Sequence, residues 1–265
     1  MQQSLITDML GRALQIPQAP QRIVSLVPSQ TELLFDLGLE TEVVGITRFC
    51  IHPERWFREK ARMGGTKDVK PERVAALQPD LILANKEENV REQIEALSVI
   101  APVWVSDIRT LEDALRMIEE VGRITGKEDS GREISGNIES GFRKLEQSLV
   151  PKRVAYAIWR EPWMWAGGDT FIHQMLRRCG WENVLADTVR YPEVSLKAIT
   201  ALAPDLILLS SEPYPFREKH LKEVRTAVPD ASVLLVDGEV FSWYGSRLLQ
   251  SPAYFEKLIK EANFG

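Results

Sequence analysis

Ala76-Leu77-Gln78-Pro79-Asp80-Leu81-Ile82-Leu83 returns as Ala201-Leu202-Ala203-Pro204-Asp205-Leu206-Ile207-Leu208, each residue 125 positions further on. Each copy reads as a short apolar helix that stops before a Pro, which cannot continue it. An Asp then makes the turn, and an unbroken apolar run follows. Such a run, bounded by turn signals, suits a strand buried on both faces of a parallel sheet. A period of this length is too long for a solenoid and right for a duplicated lobe.

Working outward, Arg22-Ile23-Val24-Ser25-Leu26-Val27 reads as a strand. Ser29-Gln30-Thr31-Glu32 reads as a capping box opening a helix that Gly38 closes. Val43–Ile46 and Val103–Val105 supply further strands. In the second half Arg153–Ile158 and Val233–Val236 are strands, and Asp169 or Thr170 caps a helix over Phe171–Cys179 that Gly180 ends. Between the halves, Ile134, Ile138, Phe142, Leu145 and Leu149 keep helical spacing, which predicts one connecting helix of roughly 20 residues. The expected fold is therefore α/β: two Rossmann-like lobes with parallel sheets, joined by one long rigid helix. The expected boundaries are an N-terminal lobe over 1–110, a helical connection over 111–150 and a C-terminal lobe over 151–265.

Composition narrows the function. With 44% hydrophobic and 27% charged residues the chain is globular, and its net charge of −5 without a basic run argues against nucleic acid. No stretch approaches the roughly 20 apolar residues of a membrane span. The first residues lack a basic segment followed by an apolar one, so the sequence as written reads as cytoplasmic; the alternative is a periplasmic protein whose signal has been removed. Cys50 and Cys179 allow a single disulfide, and two free thiols fit a reducing compartment at least as well. A monomer is expected.

Parallel sheets take ligands beyond the carboxyl ends of their strands. Five of the seven Trp residues (Trp56, Trp159, Trp163, Trp165 and Trp243) fall in the segments that leave these strands. Aromatic side chains there provide flat walls with a polar edge, suited to a large planar or polycyclic ligand. The expected walls are Trp56, Trp159, Trp163, Tyr214, Phe216, Trp243 and Tyr244. Interleaved charges, Lys86, Glu88, Arg160, Glu212, Glu239 and Arg247, would orient polar groups of the ligand, and ion pairing among such charges is the competing role.

Cys50-Ile51-His52 offers a thiolate and an imidazole to a bare metal ion, with Glu88, Glu212 or Glu239 as further ligands. With three His in the whole chain, an all-protein cage is poorly supplied. No phosphate loop, dinucleotide fingerprint or nucleophile elbow is present, so no catalytic residue is assigned. A chelatase-like enzyme using the Cys50/His52 loop with Glu239 is the enzymatic alternative.

The residues also carry a family likeness. The chain resembles the helical-backbone substrate-binding proteins that deliver cobalamin, haem or iron–siderophores to ABC importers. The likeness runs through Thr7–Arg12, Pro28-Ser29-Gln30-Thr31-Glu32, Gly45-Ile46 and both Pro-Asp-Leu-Ile phrases. Gly180–Val184 and Tyr191–Ser195 draw it toward the cobalamin-binding branch. The resemblance implies a non-enzymatic protein with a small-molecule ligand in the cleft between the lobes. It implies no covalent cofactor, although the ligand itself would carry cobalt or iron, and it implies an importer permease as partner. Family members dock through one Glu on each lobe. Glu72 holds the first position, and the repeat puts Lys197 at the second, where it would repel an Arg pocket.

Overall fold

The computed structural model describes residues 3–146 and 150–264. The chain divides into two units: residues up to Glu139 together with Tyr244–Arg247, and Ser140–Trp243 together with the chain from Leu248 onward.

In the first unit, β1 (Gln3–Thr7) and β2 (Ala13–Pro17) form an antiparallel hairpin. There follow β3 (Ile23–Ser25), α1 (Pro28–Asp36), β4 (Val43–Ile46), α2 (Glu54–Glu59) and β5 (Ala61–Arg62). Then come a small hairpin of β6 (Gly64–Gly65) and β7 (Asp68–Val69), α3 (Pro71–Ala76), β8 (Leu81–Asn85), α4 (Arg91–Leu97) and β9 (Val103–Ser106). The sheet runs β5-β4-β3-β8-β9 with every neighbouring pair parallel. From β3 the chain moves to one side for β4 and to the other for β8, so the crevice between β3 and β8 is the point where connections diverge. The outer edge of β9 is occupied by the first hairpin's turn: Met9 N–H donates to Val105 O at 3.2 Å, and Arg12 Nη2 donates to Val103 O at 3.0 Å. An exposed edge of this kind would otherwise invite pairing with another chain.

The connection consists of α5 (Leu111–Ile124, 14 residues) and α6 (Glu128–Lys144, 17 residues). The second of the two is the long connecting helix that the spacing predicts, and α5 precedes it within the same helical connection. Gly126, at φ +72°, ends the first helix, and the second carries the chain from one unit to the other. Gly122 and Gly131 let the two helices touch, since a Cβ on Gly131 would stand 3.1 Å from the Gly122 Cα. Ile134, Ile138 and Phe142 lie on α6 as the periodicity requires, and Leu149 falls outside the described residues.

The second unit contains β10 (Arg153–Trp159), β11 (Met164–Trp165), α7 (Phe171–Arg178), β12 (Glu182–Asn183), α8 (Leu196–Ala201) and β13 (Leu206–Ser210). It ends with α9 (Glu218–Ala227), β14 (Ser232–Val236), α10 (Gly238–Ser242), a 3-10 turn over Ser246–Leu249 that starts in the first unit, and α11 (Ser251–Phe264). Its sheet runs β11-β10-β13-β14, with β10, β13 and β14 parallel and β12 also pairing with β10. Thr170 caps α7 by accepting from His173 N–H, and Gly180 at φ +77° ends it. Gly168 seats the turn before α7, because a Cβ there would lie 1.8 Å from Ala186 O.

The repeated phrase behaves alike in both units. α3 and α8 each end in a left-handed residue, Gln78 at φ 46° and Ala203 at φ 45°, a conformation that costs a non-glycine residue about 1 kcal/mol. β8 and β13 are buried along their whole length. The phrase's Asp does more than turn the chain. Asp80 accepts from the Arg22 N–H at 2.8 Å, and Asp205 from the Arg153 N–H at 2.7 Å, so each clips the start of the neighbouring strand. The same arginines reach back with their guanidinium groups to cap the helix ends, Arg22 to Leu77 O at 2.7 Å and Arg153 to Leu202 O at 2.8 Å.

One local expectation fails. α1 has Val27 at its N-cap and Pro28 at its first position, with no side-chain cap, so Ser29–Glu32 is not a capping box. Pro fits there because its missing N–H is one that the first turn leaves without an intrahelical acceptor. Gly38, at φ +73°, closes the helix as the sequence predicts.

Candidate functional site

Each unit gathers chemistry-bearing side chains at the carboxyl ends of its parallel strands. In the first unit Asn85, at the end of β8, shapes the loop that follows. Its Oδ1 accepts from the N–H groups of Glu87 (2.8 Å) and Glu88 (3.1 Å), and its Nδ2 donates to Ser106 Oγ at 3.0 Å. Gln30 Nε2 donates to the same hydroxyl at 2.7 Å, tying α1 to β9. This network presents Lys86, Glu87 and Glu88. Lys86 is paired with Asp107 at 2.5 Å, and Glu88 accepts from the Tyr244 hydroxyl at 2.8 Å.

Tyr244–Arg247 is a short strap contributed to this unit from late in the sequence. One end is held by Tyr244 on Glu88. At the other, the Arg247 guanidinium grips Glu32 on α1 in a fork, Nε to Oε2 at 3.0 Å and Nη2 to Oε1 at 2.7 Å. The pair is mostly buried, with 11% and 15% of the two side chains exposed. Burial pushes the Glu32 carboxyl above its ordinary range, and Arg247 and His52 oppose that rise. Beneath the strap, the Oγ atoms of Ser29 and Ser246 and Oε1 of Gln30 are buried with no hydrogen-bond partner among the described residues. Orphaned polar atoms of this kind each cost about 1–3 kcal/mol.

Trp56 is not part of any wall. It is wholly buried, its indole N–H donates to Glu40 Oε1 at 3.0 Å, and the edge of Phe35 meets it at a ring separation of 5.4 Å. Its place α2 holds it inside the unit, so its role is packing. The aromatic surface of this unit is instead Phe49, 49% exposed, with Ile51 beside it at 43% and the Arg48 guanidinium 5.0 Å above the Phe49 ring. The sequence reading passed over both in favour of Trp. An exposed apolar pair in a strand-end loop is the signal that identifies them, and it needs the structure.

The Cys50/His52 metal site is likewise corrected. Cys50 is buried, with Thr31 and Thr47 hydroxyls 3.0 and 3.1 Å from its sulfur, and burial pushes its thiol up. A metal needs the thiolate, and this environment disfavours it. Among the described residues no group of three or more His, Cys, Asp or Glu is placed to hold an ion. Cys179 is also buried and free, its thiol pushed up by burial. Neither thiol should therefore react with a chromogenic disulfide reagent at neutral pH until the protein is unfolded. Rapid stoichiometric labelling of the native protein would show that the burial is wrong.

In the second unit the predicted aromatic residues do come together. Trp163 is stacked between Trp165 and Phe216, each at 5.6 Å and within 20° of parallel. Tyr214 packs on Phe216 at 4.7 Å and carries Trp159 edge-on at 5.6 Å, with Trp159 38% exposed. Trp165 is fully buried and its N–H donates to Val194 O at 2.8 Å, which anchors the stack to the Tyr191–Val194 segment.

The charges of this unit are mostly engaged with protein groups. Arg160 forks onto Glu223, with Nε to Oε2 at 3.0 Å, and also pairs with Glu161. Glu212 accepts at Oε1 from the Ser242 hydroxyl (2.8 Å) and the Trp243 indole N–H (2.9 Å). Burial pushes the Glu212 carboxyl up, and the nearby Glu239 and Asp237 carboxylates add to the rise. Glu239 is half-buried on α10, and Trp243 is 7% exposed.

Two α/β units, each with a parallel sheet and linked along the chain by α5 and α6, together with polar and aromatic side chains at the strand ends, define the two-lobed binding proteins as a class. Residues 23–230 match the family described as "Periplasmic binding protein", and the chain belongs to that family. It is 28% identical over 215 residues to a Bacillus subtilis (strain 168) protein described as an uncharacterized ABC transporter substrate-binding lipoprotein, covering 77% of this chain and 68% of the relative. It is 26% identical over 195 residues to a vitamin B12-binding protein of Vibrio parahaemolyticus, covering 72% and 70%. The fold also matches the crystal structure of a periplasmic haem-binding protein from Pseudomonas aeruginosa, with a TM-score of 0.79 at 20% identity over 91% of this chain and 92% of that one.

The resemblance drawn from the motifs is borne out, and with it the reading as a binding protein rather than an enzyme. The cytoplasmic reading is overturned. The family is periplasmic, and the Bacillus relative is a lipoprotein. An export leader or lipid anchor is a segment separate from the folded lobes, so the composition of the first residues carried no weight on this point. No helix among the described residues is long and apolar enough to cross a membrane.

Proposed function

We propose that this protein binds a corrinoid, or a similar metal-bearing organic ligand such as haem or a ferric siderophore, and delivers it to an ABC-type importer. The observation that carries the reading is the aromatic group at the ends of β10 and β13. Trp159 and Tyr214 present ring surface there, and the Trp165–Trp163–Phe216 stack stiffens it. A rigid aromatic platform is suited to a large macrocycle or to catecholate rings, and little side-chain freedom is lost on binding. The relatives named for vitamin B12 and haem support the same class of ligand.

Of the charges assigned to ligand from the sequence, Lys86, Glu88, Arg160, Glu212 and Arg247 already have protein partners. Their proposed role is to hold the walls in place, with Glu212 fixing Trp243 and Glu88 fixing Tyr244. Glu239 also interacts within the protein, and its proposed role is to orient a polar group of the ligand from α10. Glu72 is exposed in the first turn of α3 and Lys197 in the first turn of α8, at matching places in the repeat. A permease that fits both would present a basic group to Glu72 and an acidic one to Lys197.

Titrating the protein with cyanocobalamin, haem and a ferric catecholate siderophore tests the reading. Saturable tryptophan quenching is expected with at least one of them, together with a rise in melting temperature and no chemical change in the ligand. Failure of all three to alter either signal sinks the proposal.

A further inference from the structure

The amino end of α1 lies just past β3, beside the β3/β8 crevice where the first sheet's connections diverge. The N–H groups of Ser29 and Gln30 have no intrahelical acceptor, as in any first turn, and Val27 supplies no side-chain cap. Thr31 is the first residue to close a bond, its N–H reaching Val27 O at 2.9 Å. The Ser29 hydroxyl at the same turn is buried and unpartnered, as is the Ser246 hydroxyl in the strap. The strap runs directly over this turn, because a Cβ on Gly245 would stand 2.3 Å from Ser29 O. Ser29 is 2% exposed and Ser246 3%.

Buried polar atoms in folded proteins nearly always have partners, so several orphans at one helix end mark a place made for a further group. Its chemistry follows from the donors. Two main-chain N–H groups and two hydroxyls can all donate, and the helix end adds partial positive charge. Arg247, one residue beyond Ser246, is the adjacent cation, and it keeps the Glu32 carboxylate of α1 neutralised by its fork. The remaining orphan, Gln30 Oε1, is an acceptor; its amide nitrogen is already used on Ser106.

We infer that the first turn of α1, with Ser29 and Ser246, is a polar subsite that takes a carboxylate or phosphate oxygen of the ligand. The inference rests on the binding role proposed above and deepens it. The subsite favours ligands that carry such a group on the edge of an otherwise apolar body: a propionate of haem or the phosphodiester of cobalamin.

The test compares the whole protein with Ser29→Ala, Ser246→Ala and the double variant. Each is melted alone, in a sodium phosphate series against chloride of equal ionic strength, and with two ligand pairs. Haem is set against its dimethyl ester, and cyanocobalamin against dicyanocobinamide, which lacks the phosphodiester. Without ligand the double variant should melt at or above the wild type, since its substitutions remove only unpartnered hydroxyls. Phosphate should protect the wild type saturably and the double variant not at all. The preference for the anionic member of whichever pair binds should fall by roughly tenfold or more in the double variant. The responding pair tells propionate from phosphodiester.

A double variant that melts lower without ligand shows that the hydroxyls already have partners, and overturns the inference. So does an unchanged preference, or phosphate protection that survives both substitutions. If no macrocycle binds the wild type, the ligand reading fails and the phosphate series alone decides the subsite: no saturable protection of the wild type overturns it too.

Discussion

Trp165→Ala lowers the unfolding free energy by about 3–5 kcal/mol, the cost of emptying a fully buried large aromatic site. The loss has three parts. The side chain's own burial disappears, Val194 O loses the indole N–H that it accepts, and Trp163 loses one of the two rings between which it is stacked. Equilibrium unfolding in urea measures the effect, and Trp159→Ala is the matched control. Trp159 is 38% exposed, so its removal should cost well under half as much stability while still weakening ligand binding. The two variants thus separate the platform's foundation from its surface. A Trp165→Ala protein within about 1 kcal/mol of wild type would show that the stack is not held from beneath.

Arg247→Met has the second large effect, about 3–5 kcal/mol near neutral pH, because it leaves the mostly buried Glu32 carboxylate without its partner. The sign of the pH dependence follows from Glu32 itself. Its folded pKa is already raised above 4.5 by burial, with Arg247 acting to lower it. Without Arg247 the folded pKa rises further, so the folded variant binds a proton more readily than the unfolded chain. Its stability is then greatest below the unfolded pKa and is lost as pH rises through the folded one. The deficit should be large at about pH 7.5 and shrink toward about pH 5. A second substitution, Glu32→Leu, should recover most of the loss by removing the stranded charge. A deficit that is flat with pH would mean that Arg247 acts through packing alone.

The sequence made the sheets legible because their strands are continuous apolar runs at matching places in the repeat, and burial on both faces requires that composition. Gly38 and Gly180 were readable as helix ends for a similar reason: each sits at positive φ, where glycine has no steric cost. The site was less legible. Trp163, Tyr214 and Phe216 come together because they leave the ends of two adjacent strands, which topology predicts. Trp56 has the same composition around it and lies in the interior, since a six-residue helix turns it inward onto Phe35 and Glu40. Exposure of Phe49 and Ile51 has no sequence signature either. The partners of the charges are not legible for a general reason: long polar side chains at strand ends find partners in their own unit, and those partners, such as Glu223 for Arg160, lie far off in the chain. Ser29 was read as a cap because Ser before a helix usually is one. Pro28 already starts the helix, which leaves Ser29 inside the first turn with nothing to cap.

The strap has a consequence for how such a chain could have arisen and how it can be cut. The repeat suggests two copies of an ancestral lobe joined end to end. Yet residues 244–247, from the second copy's portion of the sequence, belong to the first body, where Gly245 lies too close to Ser29 to carry a side chain and Arg247 neutralises Glu32. A fragment ending in the connecting helices would keep the whole first sheet but expose the crevice and an uncompensated acid. The first body is therefore complete only with a segment that the chain supplies from beyond its second sheet. Duplication made the two bodies alike; the returning segment made them a single inheritance that can no longer be divided at its midpoint.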